Sequence, residues 1–349
     1  MIAAGGSVKS EPPERIHVPV LLSEVLDSLR GDRQGPEPEG WVIDGTVGAG
    51  GHARALLETF PRVRVFGVDQ DPAVLAHARS ELGPFGTRAR LLEARISQLH
   101  PRLAAEGIEP VVGFLLDLGA NSLHFDRPER GFSLQHDGPL DMRMDPSRTR
   151  TAADIVNRWD EEDLADLFYY EGDERQSRAI ARAIVAARAR VPFARTVPLA
   201  DVIAQAVGGQ SGRIHPATRC FQALRRAVNE EGEELRHGLK IAEKVLVEGG
   251  RLVVITFHSL EDGFVRKFLQ ERAREGLWQL VNKKPLGPGA AERRANPRAR
   301  SALLRCASRT RAAEEFQGAG ADFPEPDFLE PGLHEPDPPA AGDASGGAR

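Results

Sequence analysis

From residue 41 onward the chain alternates short apolar runs with amphipathic stretches. "WVID" (41–44), "RVFGVD" (64–69), "ARLLEA" (89–94) and "VVGFLLDLG" (111–119) read as strands. Between the first three lie "HARALLETF" (52–60) and "PAVLAHARSEL" (72–82), which have helical spacing; the second carries proline in its first turn. Strands separated by helices predict parallel pairing in a doubly wound sheet. The rhythm stops at about Arg127. As far as Cys220 the sequence turns helical, with "TAADIVNRWDEEDLADLFYYEG" and "ERQSRAIARAIVAARAR", and Thr151 and Asp160 are its candidate caps. It resumes with a helix ending near Glu248, the strand "GRLVVITF" (250–257), and "GLWQLVN" and "SALLRCAS" as final strands. The pattern predicts one α/β domain with a helical module inserted after its fourth strand, since insertion at a loop leaves strand pairing intact. The expected divisions are a flexible N-terminus (1–15), the first part of the α/β core (16–127), the insert (128–220), the second part of the core (221–312) and a disordered acidic tail (313–349).

Composition changes this picture in two places. The net charge of −5 conceals an uneven distribution. Residues from Glu314 onward hold nine acids and one base, which leaves 45 basic against 42 acidic residues in the body. Lys283 to Arg311 concentrates nine bases around the single acid Glu292; this is either a patch for a polyanion or a solvated surface. No apolar run approaches the roughly 18 residues that a membrane span needs, and "MIAAGGSVKSEPPER" lacks a signal-peptide core. Two cysteines, Cys220 and Cys306, fit neither a disulfide framework nor a metal site. The expectation is a reduced cytoplasmic enzyme with no metal and no membrane association.

The chemistry concentrates in "VIDGTVGAGGH" (42–52). Gly48-x-Gly50-x-x-Ala53 fits a dinucleotide-binding loop, and Asp69 lies at the distance expected of a ribose-binding acid. No Lys-Ser/Thr follows the glycines, so this is not a nucleoside triphosphate loop. Asp44 at the end of the first strand suits an ammonium or a sulfonium better than a pyrophosphate. S-adenosyl-L-methionine carries both cations and no phosphate. Two readings therefore stand on these residues: a methyl donor, or a nicotinamide cofactor of an oxidoreductase. No Tyr-x-x-x-Lys or comparable hydride-transfer unit supports the second.

Longer strings narrow the choice. "HVPVLLSEVLDSL" (17–29), "DGTVGAGGH" (44–52), "VDQDP" (68–72), "LLDLG" (115–119), "PERGFSLQHDGPLDMRMD" (128–145), "TAADIVN" (151–157), "HPATRCFQALRRAVNEE" (215–231) and "GGRLVVITFHSLED" (249–262) resemble one family, the bacterial 16S ribosomal RNA cytosine-N4 methyltransferases. The resemblance spans about residues 16 to 310. It implies a Rossmann-like class I methyltransferase core with an inserted helical domain, S-adenosyl-L-methionine as donor, and a cytidine in the decoding region of 16S ribosomal RNA as target. The RNA would be met within the small ribosomal subunit or its precursor, with homodimerisation left open. Carried over by position, donor contacts fall on Gly50, Gly51, His52, Asp69 and Asp117, and on Ile96 and His124, where the family usually has an aromatic and a glutamine. Asp44 and Gly48 join them from the loop reading. A donor-binding ribosome assembly factor with little activity is the remaining alternative.

Candidates for the chemistry itself follow. The cytosine amine is a poor nucleophile, because its lone pair is delocalised into the ring. Asp117 and Asn121, in "DLGANS", are candidate acceptors for its hydrogens. His258 in "TFHSLED" reads either as a contact to the base or as loop packing, with Ser259 and Asp262 as a capping box. Met142 and Met144 bracket Arg143, which suits either a loop that touches a base and its phosphate or packing against the sheet. Arg219, Arg225 and Arg226 are expected to contact phosphate, a solvated helix face being the alternative.

Overall fold

The computed structural model describes residues 19–31, 35–209 and 215–310. Among them, seven strands form a single sheet: β1 (Gly40–Asp44), β2 (Val63–Asp69), β3 (Ala89–Glu93), β4 (Val111–Asp117), β5 (Leu246–Thr256), β6 (Trp278–Leu280) and β7 (Leu303–Arg309), in spatial order β3-β2-β1-β4-β5-β7-β6. The first five are parallel, and β7 runs antiparallel between β5 and β6. This is the expected Rossmann-like class. The chain winds outward from β1 to β2 and β3, then returns to place β4 on β1's other side. That reversal leaves a crevice at the carboxyl ends of β1 and β4, where α/β sheets bind ligands.

Period-two alternation buries both faces of the strands, as parallel sheets require. Trp41, Ile43, Phe114, Leu116, Leu252 and Val254 face one core. Val42, Val65, Leu115, Val253 and Ile255 face the other. Helices α1 (Leu22–Arg30), α2 (Gly51–Thr59) and α3 (Pro72–Leu82) supply buried leucines, valines and alanines to the second core. Helix α4 (Leu99–Ala105) adds Leu99 and Leu103 to the first.

A third core belongs to the insert. After β4 come the short helix α5 (Ser122–Asp126), then α6 (Ala152–Arg158), α7 (Glu161–Asp166), α8 (Ser177–Arg188) and α9 (Thr196–Ala206). Helix α10 (Thr218–Asn229) closes the module. Thr151 and Asp160 cap α6 and α7 as the sequence suggests. The insert's core runs from Phe132 to Val228 and includes Cys220, Phe221 and Leu224 of α10. Its packing boundary therefore falls near Asn229 rather than at residue 220. Helix α11 (Glu231–Val245) leads back to the sheet, and α12 (Ser259–Arg274) follows β5. A last helix, α13 (Ala290–Ala295), precedes a 3₁₀ turn at Pro297–Ser301. Strand β5 begins at Leu246, four residues before the expected start. The readings of 1–15 and 313–349 lie outside the described residues.

The string "GPLDMRMD" clasps insert to sheet. Asn229 accepts a hydrogen bond from the Met144 N–H (2.8 Å) and donates one to the Met142 carbonyl (2.8 Å). Both methionines are buried in the insert's core, and Gln70 after β2 reaches the Met144 sulfur at 3.4 Å. Arg143 folds onto its own loop: it makes a bidentate pair with Asp141 (2.7 and 2.7 Å) and donates to the carbonyls of Pro146 and Arg148. The burial of Met142 and Met144 fits the packing reading, and Arg143 organises its own loop through these bonds.

Candidate active site

A cavity of about 670 Å³ opens at the β1/β4 crevice. Its floor is built by strand ends. Asp44, Asp69 and Asp117 are the last residues of β1, β2 and β4, so parallel register brings three carboxylates to one edge; Asp69 and Asp117 line the cavity, and Asp44 is buried beside it without lining it. The loop Gly45–Gly50 turns between them. Gly48 (φ +55°) and Gly50 (φ +92°) adopt the left-handed conformation that glycine tolerates. A Cβ on Gly48 would meet the Asn121 Nδ2 at 2.8 Å, and one on Gly51 would meet Pro19 Cγ at 2.6 Å. The cradle is therefore bare backbone by necessity.

The electrostatics of this floor are unusual. Asp44 is buried, and its Oδ1 accepts a long bond from Thr46 N–H (3.3 Å). Its Oδ2 has no hydrogen-bond partner, and neither does Oδ1 of Asp117. Burial pushes Asp44 up to about 7; the Thr46 bond opposes this and the neighbouring Asp69 adds to it. Burial and the nearby Asp44 push Asp117 up to about 8. His52 donates from Nε2 to the Val20 carbonyl (2.9 Å), and its Nδ1 lies 3.6 Å from Asp117 Oδ2. Asp69 is also raised by burial, but it is anchored: Gly48 N–H reaches Oδ2 (3.0 Å) and Asp71 N–H reaches Oδ1 (2.9 Å). Each of its oxygens keeps a further lone pair for a ligand hydroxyl.

Orphaned, buried acids of this kind call for a cation. A sulfonium or ammonium would restore their ionisation, whereas a pyrophosphate would add negative charge to a floor already crowded with it. The residues present thus fit S-adenosyl-L-methionine and disfavour a dinucleotide. Ile96, buried in the first core, offers the cavity an apolar face.

Other expected contacts are corrected. His124 lines the cavity, but both of its ring nitrogens are occupied. Nε2 donates to Asp71 Oδ2 (2.8 Å), and Nδ1 accepts from Asn121 N–H (3.1 Å). The ring stacks on Phe132 at 4.9 Å. It cannot supply the polar contact expected of a glutamine at this position. Its partner Asp71 is opposed by its own burial, yet bonds from His124 and Arg130 hold it down at about 2. Asn121 caps α5, its Oδ1 accepting from Leu123 N–H (3.0 Å), which ties its side chain to the helix start. His258 is the N-cap of α12, where Ser259 was the expected cap, and its Nδ1 accepts from Leu260 N–H (3.2 Å). Asp262 instead forms a bidentate pair with Arg305 (2.7 and 2.8 Å). Burial, reinforced by Arg226 and Arg225, pushes His258 down to about 3, so the ring stays neutral and is a poor base. Of the three catalytic candidates, Asp117 has a carboxylate oxygen, the buried Oδ1, with no hydrogen-bond partner.

The arginines diverge most from expectation. Arg226 is only 2% exposed. It donates to Glu171 (2.8 Å) and lies against Glu261 (3.5 Å) and the His258 Nε2. A phosphate cannot reach it. Arg225 lines the cavity, but Glu231 holds it in a bidentate pair (2.7 and 2.8 Å). Arg219 is exposed, outside the cavity lining, and donates to the Asp173 carbonyl (3.0 Å). Sequence reasoning missed Phe125, Phe132, Gln222, Glu261 and Arg298 as cavity residues. Phe132 lies in a quoted motif and could have been flagged; Phe125 lies outside them, and Arg298 reaches the site only through the return of the C-terminal segment.

The model of the MraW methylase family matches residues 14–310. Ribosomal RNA small subunit methyltransferase H of Methylobacterium sp. (strain 4-46) is 48% identical over 313 residues, which cover 85% of this chain and 91% of that protein. The protein of the same name from Methylobacterium nodulans is 47% identical over 313 residues, with the same two coverages. That of Beijerinckia indica is 47% identical over 327 residues, covering 89% and 88%.

Proposed function

We propose, starting from the fact that this chain belongs to the MraW methylase family, that it is an S-adenosyl-L-methionine-dependent methyltransferase of small-subunit ribosomal RNA, and that its target atom is the exocyclic N4 of a cytosine in the decoding region. The observation that carries the reading is the pair of buried, unpartnered carboxylate oxygens of Asp44 and Asp117 beside a glycine cradle. The donor, when bound, supplies an electrophilic methyl group on a sulfonium. Asp44 and the Gly48–His52 backbone would hold its methionine part, Asp69 its ribose, and Ile96 its adenine. Asp117 then accepts a hydrogen from the cytosine amine, which lets the nitrogen lone pair leave conjugation as it attacks. Beside a bound sulfonium Asp117 would favour its ionised form, the form that can take a proton. Neutral His258, with Nδ1 engaged by Leu260 N–H and Nε2 by Arg226, does not remove the proton. Holding amine and methyl in line can supply up to about 7–11 kcal/mol of barrier reduction. Water exclusion comes from the insert, whose residues Phe132 to His136 wall the cavity opposite the strand ends.

Mass spectrometry of 16S RNA nucleosides from a deletion strain, with and without the restored gene, tests this. N4-methylated cytidine should disappear on deletion and return with the gene. An unchanged nucleoside profile would overturn the reading.

A further inference from the structure

Three arginines line the cavity: Arg95, Arg225 and Arg298. Two are tied down. Arg95 pairs with Glu230 and Glu234, both at 2.7 Å, and Arg225 is held by Glu231. Arg298 differs. It sits on the Pro297–Ser301 turn that the C-terminal segment brings back over the crevice, and its side chain is 47% exposed. The ion partner found for it among the described residues is Asp126, at 3.4 Å and 66% exposed. Such a pair is worth about 1 kcal/mol at most and exchanges readily. The guanidinium carbon lies 5.6 Å from the Phe125 ring centroid. Phe125 in turn meets Phe132 edge-on at 6.1 Å. The rim of the cavity therefore presents a planar cation, fixed over an aromatic face and still open to a ligand.

We propose that Arg298 binds the backbone phosphate of the RNA nucleotide whose base enters this cavity, with Phe125 holding the guanidinium in place. This rests on the RNA-methyltransferase reading. A base drawn from its stack must be followed by its own phosphates, so a cation at the cavity rim is positioned to meet them. The guanidinium fork matches two phosphate oxygens, and the weak Asp126 pair yields to a ligand of higher charge. Arg219, Arg225 and Arg226 do not combine rim position with an open guanidinium.

The test compares Arg298→Ala and Arg298→Lys with the unaltered full chain on purified small ribosomal subunits lacking the modification. Arg298→Ala should raise KM for the subunit about tenfold and lower the salt slope of kcat/KM by about one. Donor affinity by calorimetry and thermal stability should not change. Arg298→Lys should recover the salt slope but only part of the KM, because the ammonium lacks the fork. Unchanged KM and salt slope in Arg298→Ala would overturn the proposal while leaving the methyltransferase reading intact. If the unaltered chain methylates no subunit RNA, the functional reading fails, and subunit binding without turnover then decides the site. Binding weakened about tenfold by Arg298→Ala supports a phosphate contact, and equal binding removes it.

Discussion

The sheet and the insert treat buried charge differently. On the sheet side, Asp44 is buried and Asp117 is partly exposed, and each keeps a buried oxygen with no partner. On the insert side, Arg226 lies outside the cavity lining and is met by Glu171 and Glu261, although its Nη2 is also a buried polar atom without a hydrogen bond. A buried charge satisfied inside the protein serves architecture, because removing either partner leaves the other stranded. A buried charge left unsatisfied costs stability, and a protein retains it where a ligand supplies what is missing. The sheet side is built for a ligand, and the interior of the insert is built for itself.

The largest effect should come from breaking the satisfied side. Arg226→Ala strands Glu171 and Glu261 and should cost about 3–5 kcal/mol in chemical denaturation. Normal stability together with weakened subunit binding would show that this arginine meets RNA and would dissolve the contrast. Next comes the anchored acid. Asp69→Ala should weaken S-adenosyl-L-methionine binding by about 1.5–3 kcal/mol without unfolding the chain, because charged hydrogen bonds are the strong ones. An unchanged dissociation constant would remove Asp69 from the donor site.

The smallest and sharpest effect is a gain. The folded pKa values of Asp44 and Asp117 lie above the ordinary carboxylate value of 3.8. Their contribution to the ligand-free fold is therefore most favourable at low pH and is lost as pH rises through about 7 for Asp44 and about 8 for Asp117. Asp44→Asn removes part of that loss. It should stabilise the ligand-free protein by about 1–2 kcal/mol at alkaline pH while weakening donor binding, the usual opposition between stability and function. Destabilisation at every pH would mean that the carboxylate serves the fold.

The sheet side was legible in the sequence and much of the insert was not, for a physical reason. Strand periodicity, the glycine loop and acids at strand ends are local signals, and parallel register converts them directly into a site. The partners of Arg226 are not local. Glu171 and Glu261 lie 55 and 35 residues away, and nothing in "RCFQALRRAVN" distinguishes an arginine facing them from one facing solvent. Local capping chemistry also misled. "HSLED" reads as a serine cap, yet His258 takes that place because Asp262 is drawn to Arg305 on β7. The same blindness turned a clasp of buried methionines into a candidate RNA loop and hid Arg298, which the chain's return brings to the rim.

The claim that the unpartnered acids await a cation can be measured directly as proton release. At pH 7.5 the ligand-free floor should hold roughly one proton shared between Asp44 and Asp117, and a bound sulfonium and ammonium should expel it. Titration calorimetry in two buffers of different ionisation enthalpy reads that number for S-adenosyl-L-methionine and for its uncharged-sulfur product. Release of about one proton is expected with the donor and less with the product. No buffer dependence, or proton uptake, would contradict it.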